Sequence, residues 1–139
     1  MSWEELRRVP LFAALPAARL AEIAGRCPAR QVPAGAVLAR HEDPAANLIV
    51  VLRGELSAVH HGAAGEHVRL PFTTGPCVVD KAAVLSGASH AVTWTACTEC
   101  TVRIMDRALF QDLLNAEPGM RDHALRYLSA QVMRPAGHG

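Results

Sequence analysis

The 139-residue sequence lacks the long apolar run of a membrane-spanning helix, which requires roughly 18 to 20 consecutive apolar residues. Its first residues, SWEELRRVP, do not have the apolar core of a signal peptide. A basic patch is also missing, because the 14 Lys and Arg residues are scattered and the net charge is +1. We therefore expect a cytoplasmic protein that binds no membrane and, through this chain alone, no nucleic acid.

Catalytic motifs are missing as well. The segment 86–90, SGASH, does not match the GxSxG pattern of a serine hydrolase, and no glycine-rich loop matches a phosphate-binding loop or a dinucleotide fingerprint. No two carboxylates fall where the predicted topology would bring them into one cleft. The sequence therefore predicts a protein that is not an enzyme.

The cysteines and histidines do not form a recognisable metal motif. Cys97 and Cys100 make one CxxC pair, but a structural zinc site needs a second pair, and the flanking TWTACTECTVRIM is typical of strand, turn and strand. We expect structural thiols and keep a metal or redox role for this pair as the alternative. His60, His61 and His67 are expected on a solvated hairpin, and no residue pair matches a haem ligation motif.

The patterns that are present predict one folded domain, since half of the residues are hydrophobic. Helical spacing at both ends encloses a series of short apolar runs, which recur at roughly ten-residue intervals between turn residues. In one run, AVTWTA, Val92 and Trp94 share a face, as in a half-buried strand. We predict a single domain at 1–139, with helices at 1–28, antiparallel β structure at 29–106, helices at 107–134 and a tail at 135–139.

Three stretches carry a family resemblance: PLFAALPAARLAEIA, VPAGAVLARHEDPAANLIVVLRGELSAV and DRALFQDLLNAEPGMRDHALRYLSAQV, within about residues 9 to 133. Their order resembles the cyclic nucleotide-binding domain, the sensory module of catabolite-activator and FNR-type regulators, kinase regulatory subunits and gated channels. The resemblance implies an α+β fold. Its centre is an antiparallel β-roll, similar to a double-stranded β-helix or jelly roll, with short N-terminal helices, a cassette helix and two C-terminal helices.

The segment 75–92, GPCVVDKAAVLSGASHAV, falls on the family's phosphate-binding cassette. In the family this cassette reads approximately Phe-Gly-Glu-Leu-Ala-Leu and, a few residues later, Pro-Arg-Ser/Thr/Ala-Ala. The resemblance implies that Gly and the helix start bind the cyclic phosphate, Glu holds the ribose hydroxyl and Arg pairs with the phosphate. The positions that would meet a ligand here are Val79, Asp80, Lys81, Ala82, Ser89, His90 and Ala91.

Three of these positions differ from the family pattern. Val79 replaces the glycine and brings a β-branched side chain to the phosphate position, while Asp80 is one methylene shorter than the glutamate. His90 replaces the arginine, so the bidentate contact with phosphate is lost. Because a charge-assisted hydrogen bond contributes about 1.5–3 kcal/mol, we expect binding to be weakened roughly tenfold to hundredfold or abolished.

We therefore predict a stand-alone, non-catalytic regulatory module of cyclic nucleotide-binding-domain type, with weakened or lost binding of cAMP or cGMP, which acts through a partner protein. No cofactor other than a cyclic nucleotide is expected. One alternative is a genuine small-molecule sensor that binds a cyclic nucleotide or another anion in the cassette. A second is the sensory half of a DNA-binding regulator that lacks its helix-turn-helix.

The last predicted helix is the second candidate contact surface. In relatives the corresponding helix covers the ligand and forms a parallel homodimer. The resemblance places Tyr127 and Leu128 at the position of this lid. Their helix packs either against its own chain or against a second copy, and the sequence leaves both arrangements open.

Overall fold

A computed structural model describes residues 3–132, with side chains described through residue 126. Two 3-10 turns, Trp3–Arg8 and Pro10–Phe12, precede the first α-helix. The α-helices are α1 (Ala17–Arg26), α2 (Lys81–Ser86), α3 (Arg107–Ala116) and α4 (Pro118–Val132). The strands are β1 (Ala29–Val32), β2 (Val37–Ala39), β3 (Asn47–Arg53), β4 (Glu55–His61), β5 (His67–Arg69), β6 (Thr73–Thr74), β7 (Cys77–Val79), β8 (Val92–Ala96) and β9 (Cys100–Asp106).

The strands form two antiparallel sheets that face each other. One sheet has the order β1-β9-β3-β7, and the other has the order β2-β8-β4-β5, with β6 also paired to β4. Neighbours in each sheet are mostly distant in sequence, so the chain passes repeatedly from one sheet to the other, as in a β-roll. This arrangement confirms the predicted α+β fold with helices at both ends and a short helix, α2, inserted between β7 and β8.

The strand β3 separates two parts of the hydrophobic core. Because side chains alternate along a strand, Leu48 and Val50 point toward the helices, whereas Ile49 and Val51 point between the sheets. All four are at most 5% exposed. Burial on both faces explains why this strand has a continuous apolar sequence, NLIVVL, instead of the alternating pattern of a half-exposed strand.

A buried cation joins the first helix to the roll. Arg103 on β9 is 2% exposed, and its Nη1 donates hydrogen bonds to the backbone oxygens of Ala24 (3.1 Å) and Cys27 (2.7 Å). These carbonyls belong to the C-terminal end of α1, which carries partial negative charge and has no intrahelical donors left. The arginine therefore caps α1 from the neighbouring sheet.

The turn between β3 and β4 depends on Gly54. Its φ of +112° lies in a region that other residues rarely adopt. A Cβ atom added there would lie 2.5 Å from Sγ of Cys100 and 2.9 Å from the backbone oxygen of Glu99. The glycine thus permits both the turn and the close approach of β9.

Candidate functional site

Asp80 lies at the junction between β7 and the cassette helix α2. Its φ and ψ of 59° and 37° are left-handed, a conformation that aspartate tolerates better than most residues with a side chain. The side chain makes no capping hydrogen bond to α2. The preceding residue, Val79, is 3% exposed and belongs to the core between the sheets, so the chain enters the helix from a buried strand.

The carboxylate of Asp80 accepts two hydrogen bonds from within the chain. Nδ1 of His90 lies 2.6 Å from Oδ2, and Nε1 of Trp94 lies 3.0 Å from the same oxygen. A carboxylate oxygen that accepts from both groups requires a hydrogen on Nδ1 of His90. His90 is 7% exposed and Trp94 is half-buried against the core between the sheets. Asp80 and His90, which are predicted from the sequence to stand at the family's glutamate and arginine positions, are therefore bonded to each other.

The other predicted site residues lie at different places around the start of α2. Lys81 is buried on the opposite side of the helix start, where it lines a cavity of about 120 Å³ with Leu11 and Cys77, and burial lowers the pKa of its ammonium group. Ala82 is half-buried on α2. Ser89 and Ala91 are exposed, and Ser89 forms an isolated β-bridge with Pro44.

The predicted lid residues lie on α4. The backbone of α4 includes positions 127 and 128, but the side chains of Tyr127 and Leu128 lie outside the described residues. Nearer the start of α4, Met120 and Ala124 are 1% and 4% exposed, and Met120 packs into the core beneath the helices of its own chain. The buried side of the first half of α4 therefore packs against its own chain.

A larger cavity, of about 320 Å³, opens at the end of the roll next to His90. Its wall contains six apolar side chains, two arginines and further polar groups, which come from four strands, the loop before β3 and the loop before β8. The lining residues are Arg30, Leu38, Ala39, Arg40, Asp43, Pro44, Ala46, Asn47, Ile49, His90 and Ile104. The sequence interpretation missed Arg30, Arg40 and Trp94. The alternation of β8 places Trp94 inside the roll, whereas no sequence pattern indicates that the two arginines share a cavity.

Three imidazoles meet on the surface beside β4. The rings of His41 and His61 stack at 4.5 Å, His67 meets His61 edge-on at 4.6 Å, and Nε2 of His61 is 3.0 Å from Oγ1 of Thr93. Burial and then the neighbouring His41 and His67 lower the pKa of His61. Among residues 3–132, no three His, Cys, Asp or Glu side chains are arranged to hold a metal ion.

The fold agrees with a comparison against protein families. The model of the cyclic nucleotide-binding domain matches residues 29–117, which is more than half of the chain. The chain belongs to this family. The match covers all nine described strands and the helices α2 and α3, so the Asp80–His90 pair lies within the matched region.

Relatives carry this domain within different proteins. A cyclic nucleotide-gated potassium channel of Mesorhizobium japonicum is 31% identical over 118 residues, which are 84% of this chain but 31% of the channel. A putative potassium channel protein of Rhodopseudomonas palustris is 28% identical over 86% of this chain and 29% of its own length. This cyclic nucleotide-binding domain thus spans about a third of the curated relatives that it matches. No helix in the described part of the chain is long and apolar enough to cross a membrane.

Among solved structures, the sensor domain of the transcriptional regulator DNR from Pseudomonas aeruginosa is similar in fold. Its TM-score is 0.81 at 17% identity, with 93% of this chain and 87% of that chain covered. The N-terminal domain of a transcriptional regulator from Streptomyces coelicolor has a TM-score of 0.72 at 25% identity, with 92% and 91% covered. The domain fold is therefore shared with sensory domains as well as with channel proteins.

Proposed function

We propose that this chain is a non-catalytic regulatory module whose cassette has weakened or lost the binding of cAMP and cGMP, and that it acts through a partner protein. The observation that supports the first part is the hydrogen-bonded group of Asp80, His90 and Trp94. The same carboxylate oxygen accepts from two internal donors. A ribose hydroxyl would have to compete with both of them.

Cyclic phosphate meets a similar obstacle. His90 directs Nδ1 to Asp80, so the ring has to leave that partner before this nitrogen can turn to a phosphate. Breaking a charge-assisted hydrogen bond costs about 1.5–3 kcal/mol, and the replacement contact lacks the bidentate geometry of arginine. Lys81 does not compensate, because its side chain is buried beside Leu11 and Cys77 and does not line the cavity that contains His90.

The second part of the proposal is supported by large apolar side chains that are exposed on and just after the edge strand β5. Val68 on β5 is 50% exposed, and Leu70 and Phe72, which follow β5, are 38% and 62% exposed. Large apolar side chains that are exposed together commonly mark protein interaction surfaces. The matched channel and regulators also contain this domain beside other parts of larger proteins, which is consistent with an output in a partner.

The test is isothermal titration of the wild-type chain and His90→Arg with cAMP and cGMP. His60→Arg is the matched control, because it adds the same side chain at an exposed position of β4. We expect no measurable heat from the wild type or the control at micromolar nucleotide. Micromolar binding by the wild type would refute the proposal. Binding gained only by His90→Arg would assign the loss to position 90, whereas silence of that variant would assign it to Val79 and the Asp80–Trp94 contact.

A specific observation supports the alternative in which this chain is a small-molecule sensor. The cavity of about 320 Å³ next to His90 is within the size range of small-molecule sites, which supports a ligand sensor. Thermal stabilisation by a ligand would favour the sensor. A complex with a partner protein that forms without added ligand would favour the adaptor.

A further inference from the structure

The cavity at the end of the roll has an apolar floor and a positively charged rim. Leu38, Ile49 and Ile104 line the floor, and Ile49 is 5% exposed. Arg30 on β1 and Arg40 after β2 line the rim. Within residues 3–126, neither guanidinium has a hydrogen bond or ion pair, unlike the buried Arg103. Two cationic groups are thus available to a ligand at one opening.

The rim also has polar groups of other kinds. Asp43 supplies one carboxylate and Asn47 one amide, so the two arginines exceed the acidic groups among the lining residues. This balance favours a ligand with one negative charge over a dianion such as a phosphate ester, because Asp43 would repel the second charge.

His90 adds an imidazole ring to the cavity wall. The residue is 7% exposed, and its Nδ1 is occupied by Asp80, while Nε2 has no hydrogen-bond partner among the described residues. The ring also lines the cavity. A ring nitrogen on a cavity wall that has no protein partner can form a hydrogen bond with water or with a ligand. Nε2 of His90 is therefore a polar contact that the cavity offers to a ligand in addition to the two arginines.

We propose that this cavity binds a small organic acid with one carboxylate and an apolar body. The carboxylate pairs with Arg30 and Arg40, the apolar body lies on Leu38, Ile49 and Ile104, and a polar group of the ligand or a bridging water satisfies Nε2 of His90. The volume of about 320 Å³ corresponds to roughly ten water molecules, which suits a compact acid. The proposal goes beyond the proposed function, since it places a ligand on the far side of His90 from Asp80.

The test uses benzoate and hexanoate as probes and benzamide as the uncharged match of benzoate. Thermal unfolding and titration of the full chain are measured with each probe up to about 10 mM, where a ligand of millimolar Kd occupies most sites. We expect benzoate or hexanoate to raise Tm in a dose-dependent manner and benzamide to have no effect. NMR of the histidine side chains should show a shift of Nε2 of His90 upon binding.

Two variants and one control locate the site. Arg40→Gln removes one cationic contact and should weaken binding roughly tenfold or more. Ala46→Leu places a larger side chain on the cavity wall without changing charge, and it should also weaken binding. Arg69→Gln removes an exposed arginine of β5 that does not line the cavity, and it should leave Kd unchanged.

Three outcomes would overturn the inference: no effect of either acid on the wild type, equal binding of benzamide, or equal losses in Arg40→Gln and Arg69→Gln. A parallel titration with cAMP separates this inference from the proposed function. Binding of cAMP that survives Arg40→Gln would refute the loss of cyclic nucleotide binding, while the organic-acid site would still be decided by benzoate and its variants.

Discussion

Replacement of Asp80 by alanine is expected to destabilise the domain by about 3–5 kcal/mol. Oδ2 accepts hydrogen bonds from His90 (2.6 Å) and Trp94 (3.0 Å), and each bond to a charged group contributes roughly 1.5–3 kcal/mol. The upper end of that sum is not reached, because the Asp80 side chain is 16% exposed and water recovers part of the loss. Alanine in the left-handed conformation adds about 1 kcal/mol.

Urea denaturation would measure this loss, with Asp80→Asn and Asp122→Ala as controls. Asparagine keeps an oxygen that can accept both bonds and tolerates φ > 0, so it should lose less than half as much as alanine. Asp122 is exposed on α4, and its replacement should change stability by less than about 0.5 kcal/mol. A double-mutant cycle with Trp94→Phe should give a coupling of about 1 kcal/mol. A change below about 0.5 kcal/mol in Asp80→Ala, or an additive cycle, would refute the reasoning.

Two other predictions concern the turn at Gly54 and the cluster at His61. Gly54→Ala should destabilise the domain by about 2–6 kcal/mol, because of backbone strain and the short contacts of the new Cβ. Gly25→Ala lies in the helix α1 with open space around it, and it should stabilise the domain by about 0.5–1 kcal/mol. Chemical denaturation measures both, and equal effects would contradict the assigned contacts. NMR titration should show a lowered pKa for His61, which rises when the stacked ring is removed in His41→Asn. In the wild type, the unfolded chain binds a proton at His61 at a higher pH than the folded chain does. His61 therefore lowers the free energy of unfolding as the pH falls below about 6.5. A normal or raised pKa of His61 would disprove this effect.

Much of the fold could be predicted from local patterns. The alternation in β8 and the continuous apolar run of β3 indicate strands directly, and the turn residues between them mark an antiparallel arrangement. The strand β1, with the sequence ARQV, carries no such signal, because its residues are exposed or half-buried and its pairing with β9 supplies its conformation. The burial of Arg103 could not be predicted from local patterns either, because it depends on the carbonyls at the end of α1, which are 76 to 79 residues away in sequence.

The contacts around Asp80 could not be predicted from the sequence. The cassette segment contains both Asp80 and His90, yet the bond between them depends on the left-handed turn at Asp80 and on the position of Trp94 in the roll. Lys81 follows Asp80 directly but points to a different cavity, because the helix start separates their side chains. The cavity beside His90 brings together residues from 30 to 104, and no local pattern can indicate such a set.

The position of His90 makes a reversible coupling possible between the end of the roll and the C-terminal helices. The ring of His90 lines the cavity and is also bonded to Asp80 at the start of α2. The helix α2 contacts α3, and α3 contacts α4. Any coupling between a ligand in the cavity and a partner at the C-terminal helices would be reciprocal. If a partner that held α3 and α4 in one arrangement changed the affinity of the cavity for a ligand, that ligand would change the affinity for the partner by the same factor.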